Sequence, residues 1–408
     1  MINKPEILSP AGDMESLESA LLYGADAVYL AGKSVGMRTA SKNLSFEELK
    51  LACEKVHQQN KKLYLTVNTL PRNADILAMP DFLYAAQDFG VDAFIIADLG
   101  VFELAKQYAP KVDRHISTQG GIVNYESAKA WYELGAKRVV LARELRLDEI
   151  AEMRAKIPPD LEIECFVHGA MCVSFSGRCL ISSFLTGRDA NRGDCAQPCR
   201  WKYHLYEENR EGQFFPVEES GEGTYLYNSN DLCMIRHIPE LCRAGISSFK
   251  IEGRAKTYYY TAVTANAYRK AVDEYFEHLD DPDYRVSPWI VEELEKISHR
   301  VYSTGFFFGT EPGQETKSGG YIRKFNAVAV CVESSVDNVC TVTQRNKFLV
   351  GDTLDILPPS GYSYQVICQS LRTEDGEEVE SAPHPMQKLY MTTDKPVEKG
   401  SVIRKKLI

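Results

Sequence analysis

Four cysteines lie close together in the middle of the chain, in the segments ECFVHGAMCVSFSGRCLIS (164–182) and GDCAQPCRWKY (193–203). They follow the spacing C-x6-C-x15-C-x3-C and are Cys172, Cys179, Cys195 and Cys199. Four thiolates in two close pairs can converge on one centre, and both zinc and a [4Fe–4S] cluster take four cysteines. Zinc ribbons favour about two to four residues between paired cysteines, which fits the first gap less well. The spacing therefore predicts a metal site, favours a cluster and leaves zinc open.

The composition indicates the compartment in which these cysteines act. The chain has 408 residues, a net charge of −10 and 11 cysteines, and no apolar run is long enough to span a bilayer. Its first residues, MINKPEILSPAGD, contain no run of signal-peptide length, so we predict a cytoplasmic protein. Disulfides are rare in the cytosol, and clustered cysteines there indicate metal or redox chemistry.

The net charge also limits contact with nucleic acid. A chain this acidic is not a broadly basic nucleic-acid coat, so any RNA contact must come from a local patch. One such patch is the loop 188–202, which carries Arg188, Arg192, Arg200 and Lys202. A solvated loop is the alternative interpretation.

Polar side chains follow the predicted strands of the N-terminal part. His168 precedes the cysteines directly and is either a hydrogen-bonded structural histidine or a ligand-binding or proton-transfer residue. The other side chains are either helix caps and structural ion pairs or the lining of a site for a small anion. They are Ser9, Asn68, Asp98, Gln119, Arg143, Glu144, Lys250, Glu252 and Arg254.

The elements that must position these residues are short apolar runs alternating with amphipathic stretches. The alternation predicts a TIM-like (β/α)8 barrel of parallel strands, in which the loops after the strands build the active site. An open doubly wound sheet is the alternative, although no GxGxxG follows the first run. The predicted strands are 6–12, 27–32, 62–69, 92–98, 114–119, 138–144, 162–169 and 248–254.

The alternation stops between the seventh and eighth strands, where a cysteine-rich insertion covers about 170–245. Within it, 202–228 predicts a small β-meander and 228–245 a capped helix. After the barrel the pattern changes to short alternating strands, which predict a small antiparallel β-barrel. The predicted domains are the barrel with its insertion (1–279), a helical linker (280–317) and the C-terminal β-barrel (318–408).

The segment 164–182 resembles the signature of the collagenase-like peptidase family U32. Further family blocks are similar to EILSPAGD (6–13), YGADAVYL (23–30), GTYLYNSNDL (223–232) and FKIEGRAKTYYYTAVTANAYRKAVDEY (249–275). RNKFLVGDTLDILPPSG (345–361) resembles the C-terminal domain of one subgroup. The likeness spans nearly the whole chain and implies an N-terminal barrel followed by a translation-factor-like β-barrel.

Within this family the chain is most similar to the subgroup linked to 5-hydroxyuridine formation at the wobble position of tRNA. That resemblance implies a [4Fe–4S] cluster on the four cysteines, dependence on prephenate, a tRNA anticodon stem-loop as partner and a possible paralogous partner subunit. A sister subgroup hydroxylates a cytidine of ribosomal RNA. A peptidase is the other alternative, but no HExxH, GxSxG or Ser-His-Asp set supports it. A non-catalytic RNA-binding protein with a structural metal is a further alternative.

The resemblance gives the strand-end residues expected roles. Prephenate is a dicarboxylate, and arginine side chains bind carboxylates with two parallel hydrogen bonds. His168 or Glu144 is expected to move a proton, while the C-terminal barrel and the loop 188–202 hold the RNA backbone. The residues expected to bind substrate are Asn68, Gln119, Arg143, Arg192, Lys250, Glu252 and Arg254.

Overall fold

The N-terminal domain is a closed barrel of parallel strands. The computed structural model describes residues 3–32, 43–201, 228–309, 313, 321–359 and 361–407. In chain order its first strands are β1 (Glu6–Pro10), β2 (Ala27–Leu30), β3 (Lys62–Val67), β4 (Ala93–Ile96), β5 (Asp113–Ile116), β6 (Arg138–Val140), β7 (Glu162–Ala170), β8 (Asp231–Cys233) and β9 (Ser248–Ile251). From β1 to β7 each strand pairs in parallel with the next, and β9 closes the ring between β7 and β1. The predicted barrel is confirmed, and its strands match the predicted apolar runs.

Helices cover the outside of this ring, and several begin at residues that cap them. Asp13, Ser45, Asp98 and Asn124 each accept a hydrogen bond from the backbone N–H three residues further on. Asp98 is therefore a helix cap. The helices up to β7 are α1 (Met14–Leu22), α2 (Phe46–His57), α3 (Asn73–Ile76), α4 (Met79–Asp88), α5 (Leu99–Tyr108), α6 (Tyr125–Leu134) and α7 (Leu147–Lys156).

The barrel strands bury both of their faces, because alternate side chains point towards the helices and into the barrel. On the outer face, Ile7 and Val28 belong to the large core that the strands share with the helices. Their neighbours Leu8 and Tyr29 belong to a separate small cluster inside the barrel. Burial on both faces explains why the strands appear in the sequence as short continuous apolar runs.

The insertion differs from its prediction next to β7. This strand continues past the barrel to Ala170, and β8 pairs antiparallel with that extension, with His168 opposite Cys233. The helix predicted over 228–245 is therefore wrong in its first part, and only α9 (Ile238–Arg243) after a short 3-10 turn is helical. Earlier in the insertion, α8 (Ile181–Thr186) follows the first cysteine pair. The β-meander predicted over 202–228 lies almost entirely outside the described residues.

A long helix and a short linker lead to the second domain. The helix α10 (Tyr258–Glu277) packs against α1, and α11 (Pro288–Leu294) follows it. The predicted linker also contains a strand, β10 (Tyr302–Ser303), which pairs with β8. No helix among the described residues has the length and apolar character needed to cross a bilayer.

The C-terminal domain is a small antiparallel barrel, as predicted. Its ring runs in the order β14, β19, β11, β12, β18 and β15, and β15 pairs back with β14. Its core is a separate apolar cluster that includes Val342, Phe348 and Ile403. The strands are β11 (Phe325–Val336), β12 (Val339–Gln344), β13 (Phe348–Leu349), β14 (Thr353–Leu357), β15 (Tyr364–Thr373), β16 (Glu378–Val379), β17 (Ser381–Ala382), β18 (Lys388–Thr393) and β19 (Val402–Lys406).

Candidate metal centre at the barrel mouth

One cavity at the carboxyl ends of the barrel strands is lined by all four cysteines of the predicted metal site. Its volume is about 250 Å³. The cysteines are Cys172, Cys179, Cys195 and Cys199, and none of them forms a disulfide. Six of the predicted substrate-binding residues line the same cavity: Asn68, Gln119, Arg143, Lys250, Glu252 and Arg254. The structure thus brings the predicted metal ligands together with most of the predicted substrate site.

Glu144 holds the turn between the first two cysteines. Its carboxylate accepts hydrogen bonds from the backbone N–H of Ser176 at 2.8 Å and from the Ser176 hydroxyl at 2.9 Å. Ser176 has a φ of 47°, a left-handed conformation that costs free energy for a residue other than glycine. The carboxylate after β6 therefore fixes a strained turn in the cysteine loop.

The first cysteine pair is tied to the second by Asn191 and Ser182. The side-chain oxygen of Asn191 accepts from the Cys179 N–H at 3.2 Å, and its amide nitrogen donates to the Cys179 carbonyl at 3.1 Å. Ser182, on α8, accepts from the N–H of Ala196 at 3.0 Å. These contacts join segments more than ten residues apart, so the sequence pattern alone did not single out either residue.

Arg200 anchors the last cysteine to the barrel. Its guanidinium donates to the Met171 carbonyl at 2.6 Å and to the Asn228 side chain at 2.8 Å. The sequence predicts that Arg200 belongs to a surface basic patch. Its half-buried side chain instead lines the cavity and connects Cys199 to the residue that precedes Cys172.

Two sulfur atoms receive backbone hydrogen bonds. The N–H of Ile181 donates to the Cys179 sulfur and that of Gln197 to the Cys195 sulfur, both at 3.4 Å. Burial raises the pKa of Cys199; nearby Arg200 opposes the rise, and the Cys172, Cys195 and Cys179 thiols add to it.

This donor set can be compared with the requirements of a metal group. Among the described residues, no three His, Cys, Asp or Glu side chains meet closely enough to hold a single ion as they stand. A four-iron cluster takes one thiolate at each corner of a larger body, and hydrogen bonds to sulfur tune its potential. Four thiols line one cavity, and two of their sulfur atoms accept hydrogen bonds from backbone N–H groups. This donor set fits such a cluster.

Positive charge dominates the polar side chains of the cavity. The Arg143 guanidinium donates to the Ala170 carbonyl at 2.8 Å, lies 3.5 Å from the Glu252 carboxylate and stacks over the Phe166 ring at 3.8 Å. Arg254 donates to the Thr66 hydroxyl at 3.2 Å. Four cationic side chains, Arg143, Arg200, Lys250 and Arg254, thus line the cavity with one carboxylate, Glu252, and this balance favours an anionic ligand.

Lys250 links the cavity to an ion-pair network inside the barrel. Its ammonium donates to Glu164 at 2.6 Å, and the same carboxylate accepts from Arg138 at 2.9 Å. Arg138 in turn pairs with Glu6 and Glu162. Burial lowers the pKa of Lys250, against the opposing effect of Glu164.

Asn68 offers the cavity an unsatisfied acceptor. Its amide nitrogen donates to the Ser117 hydroxyl at 3.3 Å. Its buried side-chain oxygen meets no hydrogen-bond donor among the described residues. Since an unpaired buried polar atom costs about 1–3 kcal/mol, a ligand with a donor group would recover that free energy.

Three of the predicted site residues lie away from the cavity lining. Arg192 pairs with Asp75 at 2.9 Å at the outer surface, and Glu144 binds the cysteine loop as described. His168 is 1% exposed and packs against the rings of Tyr260, Tyr268 and Tyr302. Burial lowers the pKa of His168 to about 3, so its ring is neutral at physiological pH. The geometry does not support the proton-transfer roles predicted for His168 and Glu144.

Comparison with known proteins agrees with the architecture and the motifs. The profile described as Peptidase family U32 matches residues 12–317, and that of the Peptidase family U32 C-terminal domain matches residues 323–404. A Bacillus subtilis protein named tRNA hydroxylation protein P1 is 36% identical over 405 residues, covering 98% of this chain and 95% of that protein.

Two other relatives have different names. The Escherichia coli 23S rRNA 5-hydroxycytidine C2501 synthase is 36% identical over 76% of this chain and 46% of its own length. A Porphyromonas gingivalis protein named collagenase is 33% identical over 78% of this chain and 77% of its own length. Because the family profiles cover both domains, and a relative matches over nearly its whole length, this chain belongs to peptidase family U32.

Proposed function

We propose that this protein is a tRNA hydroxylase that installs the oxygen of 5-hydroxyuridine at the wobble position. The observation that carries the proposal is the shared cavity, in which four cysteines and a cationic polar site meet at the barrel mouth. The names of relatives as similar as the Bacillus subtilis protein support RNA hydroxylation as the reaction class. Because tRNA is a cytoplasmic molecule, the proposal includes a cytoplasmic protein.

The proposed cofactor is a [4Fe–4S] cluster held by Cys172, Cys179, Cys195 and Cys199. When bound, it would supply electron transfer beside the substrate. The chain itself prepares this position. Glu144, Asn191 and Arg200 fix the cysteine loop, and backbone N–H groups donate to two of the sulfurs.

The proposed co-substrate is prephenate, bound by Arg143, Lys250 and Arg254. A dicarboxylate needs two positive partners, and the guanidinium groups of Arg143 and Arg254 supply them beside Lys250, whose ammonium also pairs with Glu164. The unpaired Asn68 oxygen can accept a hydrogen bond from a hydroxyl group. Arg192 is left out of this site because it pairs with Asp75 outside the cavity.

The target base must leave its stack to reach a cavity at the end of a barrel. An unpaired nucleotide of an anticodon loop does so at a small cost, since no base pair has to open. This requirement favours a loop nucleotide over one in a duplex.

The proposal is tested by expressing the chain in a bacterial strain that lacks its own tRNA hydroxylation genes. Nucleosides of the purified tRNA are measured by mass spectrometry, and we expect 5-hydroxyuridine derivatives to reappear. In a strain that also cannot make prephenate, the product should be absent until prephenate is restored. Soluble protein without tRNA product would overturn the proposal.

The same cultures separate the alternatives suggested by the other two relatives. Appearance of 5-hydroxycytidine in the large ribosomal RNA, with unchanged tRNA, would assign the rRNA reaction. Cleavage of gelatin by the purified chain, abolished by a point substitution in the cavity, would assign a peptidase.

A further inference from the structure

The cysteine loop presents large apolar side chains to solvent around the cavity. Phe184 is 84% exposed, Leu180 60%, Phe175 52% and Trp201 44%. All of them lie within a few residues of a cavity-lining cysteine. Single exposed apolar residues are ordinary, but several on one short loop indicate a binding surface.

The loop that carries them is held firmly. On α8, Ser182 is fully buried and holds Ala196, while Phe184 on the same helix faces outwards. Phe175 follows a similar pattern, because the neighbouring Ser176 is fixed by Glu144. Hydrogen bonds therefore fix the backbone that carries the exposed rings, and the loop loses little conformational entropy when a partner binds.

Two of the exposed rings have an exposed arginine nearby in the sequence. Arg178 follows Phe175 and Arg188 follows Phe184, whereas Arg200, next to Trp201, donates inwards to Met171 and Asn228. Arg188 pairs with Asp194 at 2.7 Å across the surface, whereas Arg178 is exposed. Exposed aromatic rings and guanidinium groups on one loop match the faces of unpaired nucleobases and the phosphates between them. Binding of an apolar protein partner would not require these cationic side chains.

We propose that Phe175, Phe184 and Trp201 form a stacking surface for the unpaired nucleotides that flank the target base. We call these three residues the aromatic rim. The rim takes single-stranded RNA through its base faces, and the exposed Arg178 and Arg188 bind the phosphates. This inference rests on the proposed function and deepens it, because it assigns RNA recognition to the cysteine loop as well as to the cavity.

The test is the affinity of the iron-loaded protein for a fluorescent anticodon stem-loop RNA, measured anaerobically by anisotropy at fixed salt. Phe184→Ala and Trp201→Ala should each weaken binding by about tenfold, as loss of one stacked base predicts. Phe184→Tyr keeps a ring and should bind as the wild type does. Phe184→Leu keeps apolar volume without a ring and should bind like the alanine variant.

The control is Tyr108→Ala, which removes an exposed ring at the end of α5. Helices of such a barrel end at the face opposite the active site, so this variant should bind normally. A second probe is a fully paired RNA duplex of the same length, whose affinity should not respond to the rim substitutions. Iron content, measured for every variant, shows whether the cysteine loop stays intact.

Two results would overturn the inference. The first is unchanged stem-loop affinity in Phe184→Ala and Trp201→Ala proteins that retain their iron. The second is loss of self-association in native mass spectrometry without any change in RNA binding, which would assign the surface to a second copy. If the rim binds the stem-loop but cells show no hydroxylated uridine, the proposed function fails while the rim stands.

Discussion

The role that the sequence position of Glu144 suggests differs from the role that its contacts in the structure indicate. As a strand-end carboxylate it suggested proton transfer, whereas in the structure both of its oxygens accept from Ser176. Glutamine keeps an acceptor for the Ser176 N–H but cannot take up or release a proton. Glu144→Gln should therefore retain most of the iron and activity. Glu144→Ala should lose both, with about 1–3 kcal/mol less stabilisation of the loop.

The measurements for Glu144 are iron per chain and hydroxylated tRNA from complemented cells. An inactive Glu144→Gln protein that keeps its iron would restore the proton-transfer role. That outcome would contradict the positioning role described here.

The four cysteines give the next prediction at this scale. Alanine at Cys172, Cys179, Cys195 or Cys199 should each abolish 5-hydroxyuridine in the complementation strain, because removal of one thiolate opens the site. The matched control is Cys368→Ala in the buried core of the C-terminal barrel, which should keep the product. Product formation by all four cavity variants, at equal protein levels, would exclude a catalytic role for the centre.

His168 predicts a pH effect on stability. In the unfolded chain a histidine takes up a proton near pH 6.5, whereas in the folded protein the pKa of His168 is lowered to about 3. Between these two pKa values the unfolded state therefore binds more protons than the folded state. The stability that is present above about pH 6.5 is lost as the pH falls. His168 should therefore lower the free energy of unfolding by about 1.4 kcal/mol for each pH unit by which the solution is acidified in this range.

The measurement is anaerobic urea denaturation of the wild type and of His168→Gln between about pH 5 and about pH 6.5. Glutamine does not titrate, so the free energy of unfolding of the variant should depend less steeply on pH. Equal slopes in the two proteins would show that the folded ring is protonated in this range.

Among the strands, β7 contributes both to the ion-pair network inside the barrel and to the position of the cysteine loop. Glu164 lies inside the barrel and is fully buried between Lys250 and Arg138, while His168 and the extension to Ala170 lead into the cysteine loop. Glu164→Gln leaves two buried cations with less compensation and should cost about 3–5 kcal/mol.

Chemical denaturation measures that loss, and Glu152→Gln is the matched control. Glu152 forms an ion pair with Lys156 on the exposed face of α7, where solvent screens the charges, so its loss should leave stability unchanged. Equal effects of the two substitutions would show that the network around Glu164 is well solvated.

Helices and strands could be predicted from the sequence where residues close together in the chain determine them. Each barrel strand is a short apolar run buried on both faces, and caps such as Asp13 mark where the helices begin. β8 was missed because the whole of 228–245 was predicted to be one capped helix. The carboxylate of Asp231 in this range binds Arg300, which is 69 residues away, and its backbone pairs with β7. The same limit applies to Asp75 and Arg192, whose ion pair joins residues 117 positions apart.

The site was predictable to a similar degree. Cysteine spacing and strand-end position identified ten of its residues, because both signals are read directly along the chain. Asn191, Ser182 and Arg200 act through hydrogen bonds to distant backbone groups, which no local pattern encodes.

For the whole molecule, one buried arginine joins the linker helix α11 to the C-terminal barrel. Arg404 of β19 is fully buried and donates to Glu293 of α11 at 2.7 Å and to Asp355 of β14 at 2.8 Å. Arg404→Met leaves both carboxylates buried without their main partner and should cost about 3–5 kcal/mol. Calorimetry should then show a lower unfolding temperature, whereas Arg404→Lys should give an intermediate result. A single unchanged transition in Arg404→Met would contradict this role.

We propose that the barrel mouth holds an iron–sulfur cluster on four cysteines. The most direct measurement is the iron, acid-labile sulfide and zinc content of the wild-type protein purified without oxygen. We predict brown protein with about four irons and about four sulfides per chain. Colourless protein containing one zinc ion per chain and no sulfide would contradict the account.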